Sequence, residues 1–62
     1  MLALDELSIG TRLRIKLEPR RECVVLFKDQ DHERVLMKTI DGMSPKLWGF
    51  IPVQMLEHFE QI

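Results

Sequence analysis

Hydrophobic and polar residues alternate without a break over Thr11-Arg12-Leu13-Arg14-Ile15-Lys16-Leu17. In an extended chain this puts Leu13, Ile15 and Leu17 on one face and Arg12, Arg14 and Lys16 on the other, the clearest strand signal in the protein. Ahead of it, Leu2 to Ser8 mixes Asp5 and Glu6 with Leu2, Leu4 and Leu7 and reads as one helical turn or a loosely packed lead-in. Ile9-Gly10 punctuates, so residues 1–9 form a lead-in segment. Pro19 cannot donate to a ladder, and the strand ends there or passes as an edge.

Cys23-Val24-Val25-Leu26-Phe27-Lys28 is apolar on both faces and β-branched at its centre. Such a run predicts a central strand, covered on both sides by a closing barrel or by a partner. The polar turn Asp29-Gln30-Asp31-His32 joins it to a third strand, Glu33 to Ile40, as a hairpin. Asp41-Gly42 signals a reversal that Ser44-Pro45 lengthens into a loop, and Leu47 to Ile51 makes a fourth strand. Pro52 stops that strand while its fixed φ suits the first position of a helical turn. Val53, Leu56, Phe59 and Ile62 then recur every three residues, the spacing of a short helix or 3₁₀ turn laid back on the sheet as a plug.

With 62 residues, the chain can bury only about 60% of its unfolded surface, enough for one core and a single domain over 1–62. Its 45% hydrophobic and 31% charged residues argue for a folded chain rather than a disordered one. Four short strands at close spacing, with Gly and Pro at the turns, indicate an all-β barrel or roll.

Two phrases carry a resemblance to a known superfamily. Gly10-Thr11-Arg12-Leu13-Arg14-Ile15 resembles the first strand of SH3-like barrels, a Gly followed by a basic and apolar alternation. Gly49-Phe50-Ile51-Pro52-Val53-Gln54-Met55-Leu56-Glu57 resembles their closing phrase: a strand end, a Pro, one helical turn, then an apolar residue and Glu. The two bracket most of the chain in the right order. They imply a small SH3-like barrel of four to five strands with a short C-terminal helical or 3₁₀ turn, of the bacterial type.

The eukaryotic peptide-binding SH3 pattern is not followed. The chain has no Tyr, and Arg34-Val35 stands where paired Trp is expected. Polyproline recognition needs an aromatic-lined groove, so it is not expected here. The plasmid-borne type of dihydrofolate reductase shares the order of strand and Pro-Val turn, but its Val-Gln-Ile-Tyr run is matched here by Trp48-Gly49-Phe50-Ile51, without the amide or the phenol. That resemblance implies the barrel and not the activity.

Nine Lys and Arg against ten Asp and Glu give a formal charge of −1, which offers no bulk attraction to nucleic acid or to an acidic membrane. The longest apolar run, Cys23 to Phe27, is far below the roughly 20 residues of a membrane span. A single Cys and no signal-like opening predict a reducing cytoplasm. Asp29, Asp31 and Glu33 alternate at a turn without the ligand number of a calcium loop, and read as solvated hairpin residues. His32, His58 and Cys23 lack paired zinc spacings and read as surface histidines and a packed thiol. Cys23 heads an apolar run that would raise its pKa, which argues against a nucleophile. Gly10, Gly42 and Gly49 stand apart, with no phosphate loop. No cofactor, metal or catalytic residue is predicted, and the chain is read as not an enzyme.

What remains are surfaces. The face Arg12, Arg14 and Lys16, with Arg20, Arg21, Arg34 or Lys38 as candidate neighbours, reads first as a solvated strand face and alternatively as a nucleic-acid surface. Trp48 follows a loop and shares its strand face with Phe50, and two readings of it stand level, a contact surface or a cap on the barrel end. The sequence therefore predicts a small regulatory or adaptor module that binds another protein through Trp48, Phe50, Met43 and Lys46, the last two from the loop Asp41 to Lys46. The alternatives are a nucleic-acid-binding barrel using the Arg12 face, and a homo-oligomeric enzyme with its site at a symmetry axis.

Overall fold

A computed structural model describes residues 3–62; Met1 and Leu2, where the expected lead-in begins, lie outside the described residues. The protein is mostly β: five antiparallel strands in one sheet, β1 (Arg12–Ile15), β2 (Glu22–Asp29), β3 (Arg34–Thr39), β4 (Trp48–Pro52) and β5 (Phe59–Gln61), in the order β4-β3-β2-β1-β5. A 3₁₀ turn at Leu4–Glu6 precedes the sheet, and another at Val53–His58 joins β4 to β5. The predicted closure into a barrel is not met. β4 and β5 are the two edges and pair only inward, with β3 and β1, so the sheet stays open. Closure needs ladder bonds between first and last strands, and β5 has only three residues to offer.

One face of the sheet carries the core. Leu13, Val25, Val35 and Leu56 are wholly buried there, joined by Leu7, Cys23, Met37 and Phe59. Leu7 belongs to the lead-in, which is therefore anchored rather than loose: Leu4 packs against the core, and Lys28 Nζ donates to the Leu7 carbonyl at 2.6 Å. In the second 3₁₀ turn, three residues per turn align Val53, Leu56 and Phe59, as their spacing predicts. Phe59, however, already starts β5, and Ile62 at the end of the series is exposed.

Two strand predictions need correction. β1 stops at Ile15, and Leu17 is 64% exposed. The amide of Ile15 still donates to Arg21 and that of Lys16 to His58, but the chain then bends through Pro19, so Lys16 and Leu17 leave the alternation. β2 is central, yet it is covered on one face only. Its register against β3 shifts between Val25 and Phe27, leaving Leu26 as the extra residue of a β-bulge. Past the bulge the facing reverses: Lys28 lies opposite buried Val35 on the core side, and Phe27, 51% exposed, lies opposite Leu36 on the bare side. The apolar-on-both-faces run is a bulged strand with one face open.

Leu13 makes no contact with water and sits between β2 and β5, so Leu13→Ala should cost roughly 2–5 kcal/mol, a large part of the whole stability of so small a domain. Leu17→Ala should stay within about 0.5 kcal/mol. Urea unfolding of the two variants checks the pair; equal losses would mean that the strand runs on through Leu17.

Candidate functional site

The chain passes from β3 to β4 through residues 40–47, and Gly42 takes φ +76° at the reversal, a conformation that glycine adopts freely. The loop is held from inside. Arg21, 5% exposed, donates through Nε to Asp41 Oδ2 at 2.7 Å and through Nη2 to Asp41 Oδ1 at 3.2 Å, Met43 O at 3.0 Å and Pro45 O at 2.9 Å. Asp41 also accepts from the amides of Glu22 at 3.1 Å and Met43 at 3.0 Å. The hydrogen bonds from Arg21, then from Met43 and Glu22, hold the Asp41 carboxyl far below the usual carboxylate range despite desolvation. The same bond raises the Arg21 guanidinium against the opposing pull of burial. Arg21 is thus a structural clamp and not a neighbour of the basic stripe.

β4 presents its side chains on alternate faces. Ile51 packs against the core, while Trp48 is 75% and Phe50 43% exposed on the bare face. Cross-strand pairing extends each into a row. Phe50 lies opposite Leu36, which lies opposite Phe27; Trp48 lies opposite Lys38, then Val24, then Arg12. The Arg34 guanidinium stacks 3.9 Å from the centroid of the Phe50 ring while its Nε donates to Asp29 at 2.9 Å. Phe27 and Leu36 complete this apolar patch and were not predicted. The bulge that turns Phe27 outward is invisible to a count by twos.

Of the predicted contact residues, Trp48 and Lys46 come together. They line a surface cleft of about 480 Å³ with Lys38, Thr39, Ile40 and Leu47. Phe50 lies two residues along the same face, and Met43 is exposed on the clamped loop without lining the cleft. On the core side of β4, an apolar hollow of about 290 Å³ opens beside Ile15, Met37, Leu47, Gly49, Ile51 and Phe59. It adjoins a second hollow of about 470 Å³, where Leu17, Pro52, Met55 and His58 join Ile15 and Phe59. The sheet would close here if β4 met β1 and β5. A Cβ added at Gly49 meets nothing within 4 Å, so no neighbouring backbone accounts for that glycine.

The basic stripe is divided. Arg12 is exposed and outside any ion pair among the described residues, Arg14 is bonded to Glu60 at 3.1 Å, and Lys16 lies beyond the end of β1. Asp29 is engaged by Arg34 and His32, whose hydrogen bonds lower its pKa in that order, while Asp31 and Glu33 are exposed. Cys23 is buried, and desolvation pushes its thiol up, the opposite of what a nucleophile needs. His58 lies 3.4 Å from Glu57 at the protein surface.

No protein-family model, curated protein or solved structure matches this chain. Among the described residues, no helix is long and apolar enough to cross a membrane.

Arg21→Ala should lower the melting temperature and speed amide exchange at Met43, because the loop then loses both of its carbonyl anchors. Asp41 has a folded pKa below its unfolded value of about 3.9, so its contribution is complete above that pH and is lost as the pH falls toward the folded value. The acid limb of the stability curve should therefore be shallower in Asp41→Asn than in the wild type. Identical limbs in thermal melts across the acid range would show that the clamp adds no pH-dependent stability.

Proposed function

We propose that this chain is a non-enzymatic, SH3-like binding module that acts by contacting another protein, as a small regulatory or adaptor component. The observation that carries the reading is the placing of Trp48 and Phe50 on the bare face of an edge strand, next to a loop clamped by Arg21. A large aromatic left three-quarters exposed on a rigid element is a poor use of a core residue and a good anchor for a partner. Phe27 and Leu36 continue it as a contiguous apolar surface, Lys46 lines the cleft beside Trp48, and Met43 is exposed on the clamped loop. The passage from β4 through Pro52 and a 3₁₀ turn into β5 supports the SH3-like plan, without the closing ladder of a full barrel. The reducing cytoplasmic setting expected for a lone Cys goes with this reading.

Trp48→Ala should leave stability within about 0.5 kcal/mol and abolish capture of the partner from native extract. Ile51→Ala should cost about 1–3 kcal/mol, because Ile51 packs against the core from a half-buried position. Thermal melts and pull-downs, with and without nuclease, test both variants. Capture that survives Trp48→Ala would remove the surface from the reading. Capture that nuclease destroys would replace it with the Arg12, Arg14 and Lys16 nucleic-acid face.

A further inference from the structure

We infer that the free edge of β4 accepts an extended acidic segment of a partner protein as a sixth strand. Its carboxylates would meet Lys38 and Lys46, and an apolar side chain would enter the open mouth of the core. The inference rests on the protein-binding reading and specifies the chemistry of the partner.

Hydrogen-bond alternation identifies the free groups. The amide of Thr39 donates to the Leu47 carbonyl at 2.9 Å, and the amide of Val53 donates to the Glu33 carbonyl at 2.9 Å. Between these two bonds, antiparallel pairing turns the backbone groups of Gly49 and Ile51 toward β3 and those of Trp48 and Phe50 away from the sheet. Proteins usually blunt such an edge with Pro, a bulge, an inward charge or very short length. From Trp48 to Ile51, β4 has none of these; Pro52 stands only at its end.

Gly49 adds an independent indication. A glycine inside a strand often marks the close approach of another backbone or a ligand, yet here a Cβ would find open space. That space is the apolar hollow bounded by Ile15, Met37, Ile51 and Phe59. In a strand laid beside β4, alternate side chains would point into this hollow and out over the bare face.

Charge selects the occupant. Lys38 and Lys46 line the Trp48 cleft, and neither is in an ion pair among the described residues. Asp41, the carboxylate of the adjoining loop, is fully engaged by Arg21 and two amides. A second copy meeting this one β4 to β4 would bring like-charged lysines together. The other open edge, β5, carries one acid, Glu60, which Arg14 already holds. An acidic strand from a different protein supplies the missing carboxylates and adds charge attraction to the ladder bonds.

The test is a titration of ¹⁵N-labelled protein with a peptide of about seven residues that alternates Glu and Val, long enough to run the length of β4. A Lys and Val counterpart is the control. The acidic peptide should saturate the protein, slow amide exchange at Trp48 and Phe50 by about tenfold or more, and bind several-fold more weakly in about 0.5 M salt. The basic peptide should not saturate it. Gly49→Val fills the hollow without touching Trp48, and should fold with an unchanged or higher melting temperature while losing the peptide.

The inference is overturned if the acidic peptide does not bind, if it binds without protecting those two amides, or if folded Gly49→Val binds it equally well. Protection of the same amides in a peptide-free dimer seen by sedimentation would assign the edge to a second copy and overturn it too. So would a single-stranded oligonucleotide that displaces the peptide with higher affinity. Failure here with Trp48-dependent protein capture intact leaves the protein-binding reading standing, whereas capture indifferent to Trp48 removes that reading itself.

Discussion

Arg21 and Asp41 meet where water is nearly excluded, and the geometry of the site depends on that meeting. A buried ion pair is weak support for stability, because desolvating two charges offsets much of their attraction. This pair does more than neutralise itself. Arg21 also donates to the carbonyls of Met43 and Pro45, and Asp41 also accepts from the amides of Glu22 and Met43. The start of β2 and a loop without regular structure are thereby fixed to one another. Lys46 and Leu47 follow directly from the fixed loop, so the wall of the cleft beside Trp48 inherits its position from a charge pair on the far side of the sheet's end.

The two faces of the sheet divide the work. On one, Leu7, Leu56 and Phe59 arrive from outside the main hairpins and cover Leu13, Val25 and Val35. On the other none of the described residues arrives, and Phe27, Leu36 and Phe50 form a row flanked by the charged neighbours Arg34, Lys38 and Arg12. The described residues supply no second layer to bury that row.

Much of this was legible in the residues. The alternation around Leu13 gave the correct inward face, Pro52 and the three-residue spacing of Val53, Leu56 and Phe59 gave the closing turn, and the pleat put Ile51 and Trp48 on opposite faces without saying which of the two is buried. Leu17 was misplaced because alternation alone does not report where a ladder ends: its last bonds run from Ile15 to Arg21 and from Lys16 to His58, and the chain then bends through Pro19. The absence of closure depends on how far a three-residue β5 can reach, which periodicity does not report. The clamp was within reach. β2 and β3 pair Cys23 with Thr39, and continuing that register two residues outward sets Arg21 opposite Asp41.

The extra residue at Leu26 works as a change of phase within one strand. Upstream of it the odd-numbered positions of β2 face the core, and downstream the even-numbered ones do. Lys28 can therefore tether the N-terminal segment from the core side, and Phe27 can join the bare row, only because both lie after the shift. Anchoring of the lead-in and width of the exposed apolar surface are thus set by a single insertion. Were Leu26 instead drawn into the ladder opposite Leu36, Phe27 would turn to the core and Lys28 to the bare face, detaching the segment and narrowing the surface together. Neither property can be gained or lost by itself along that route.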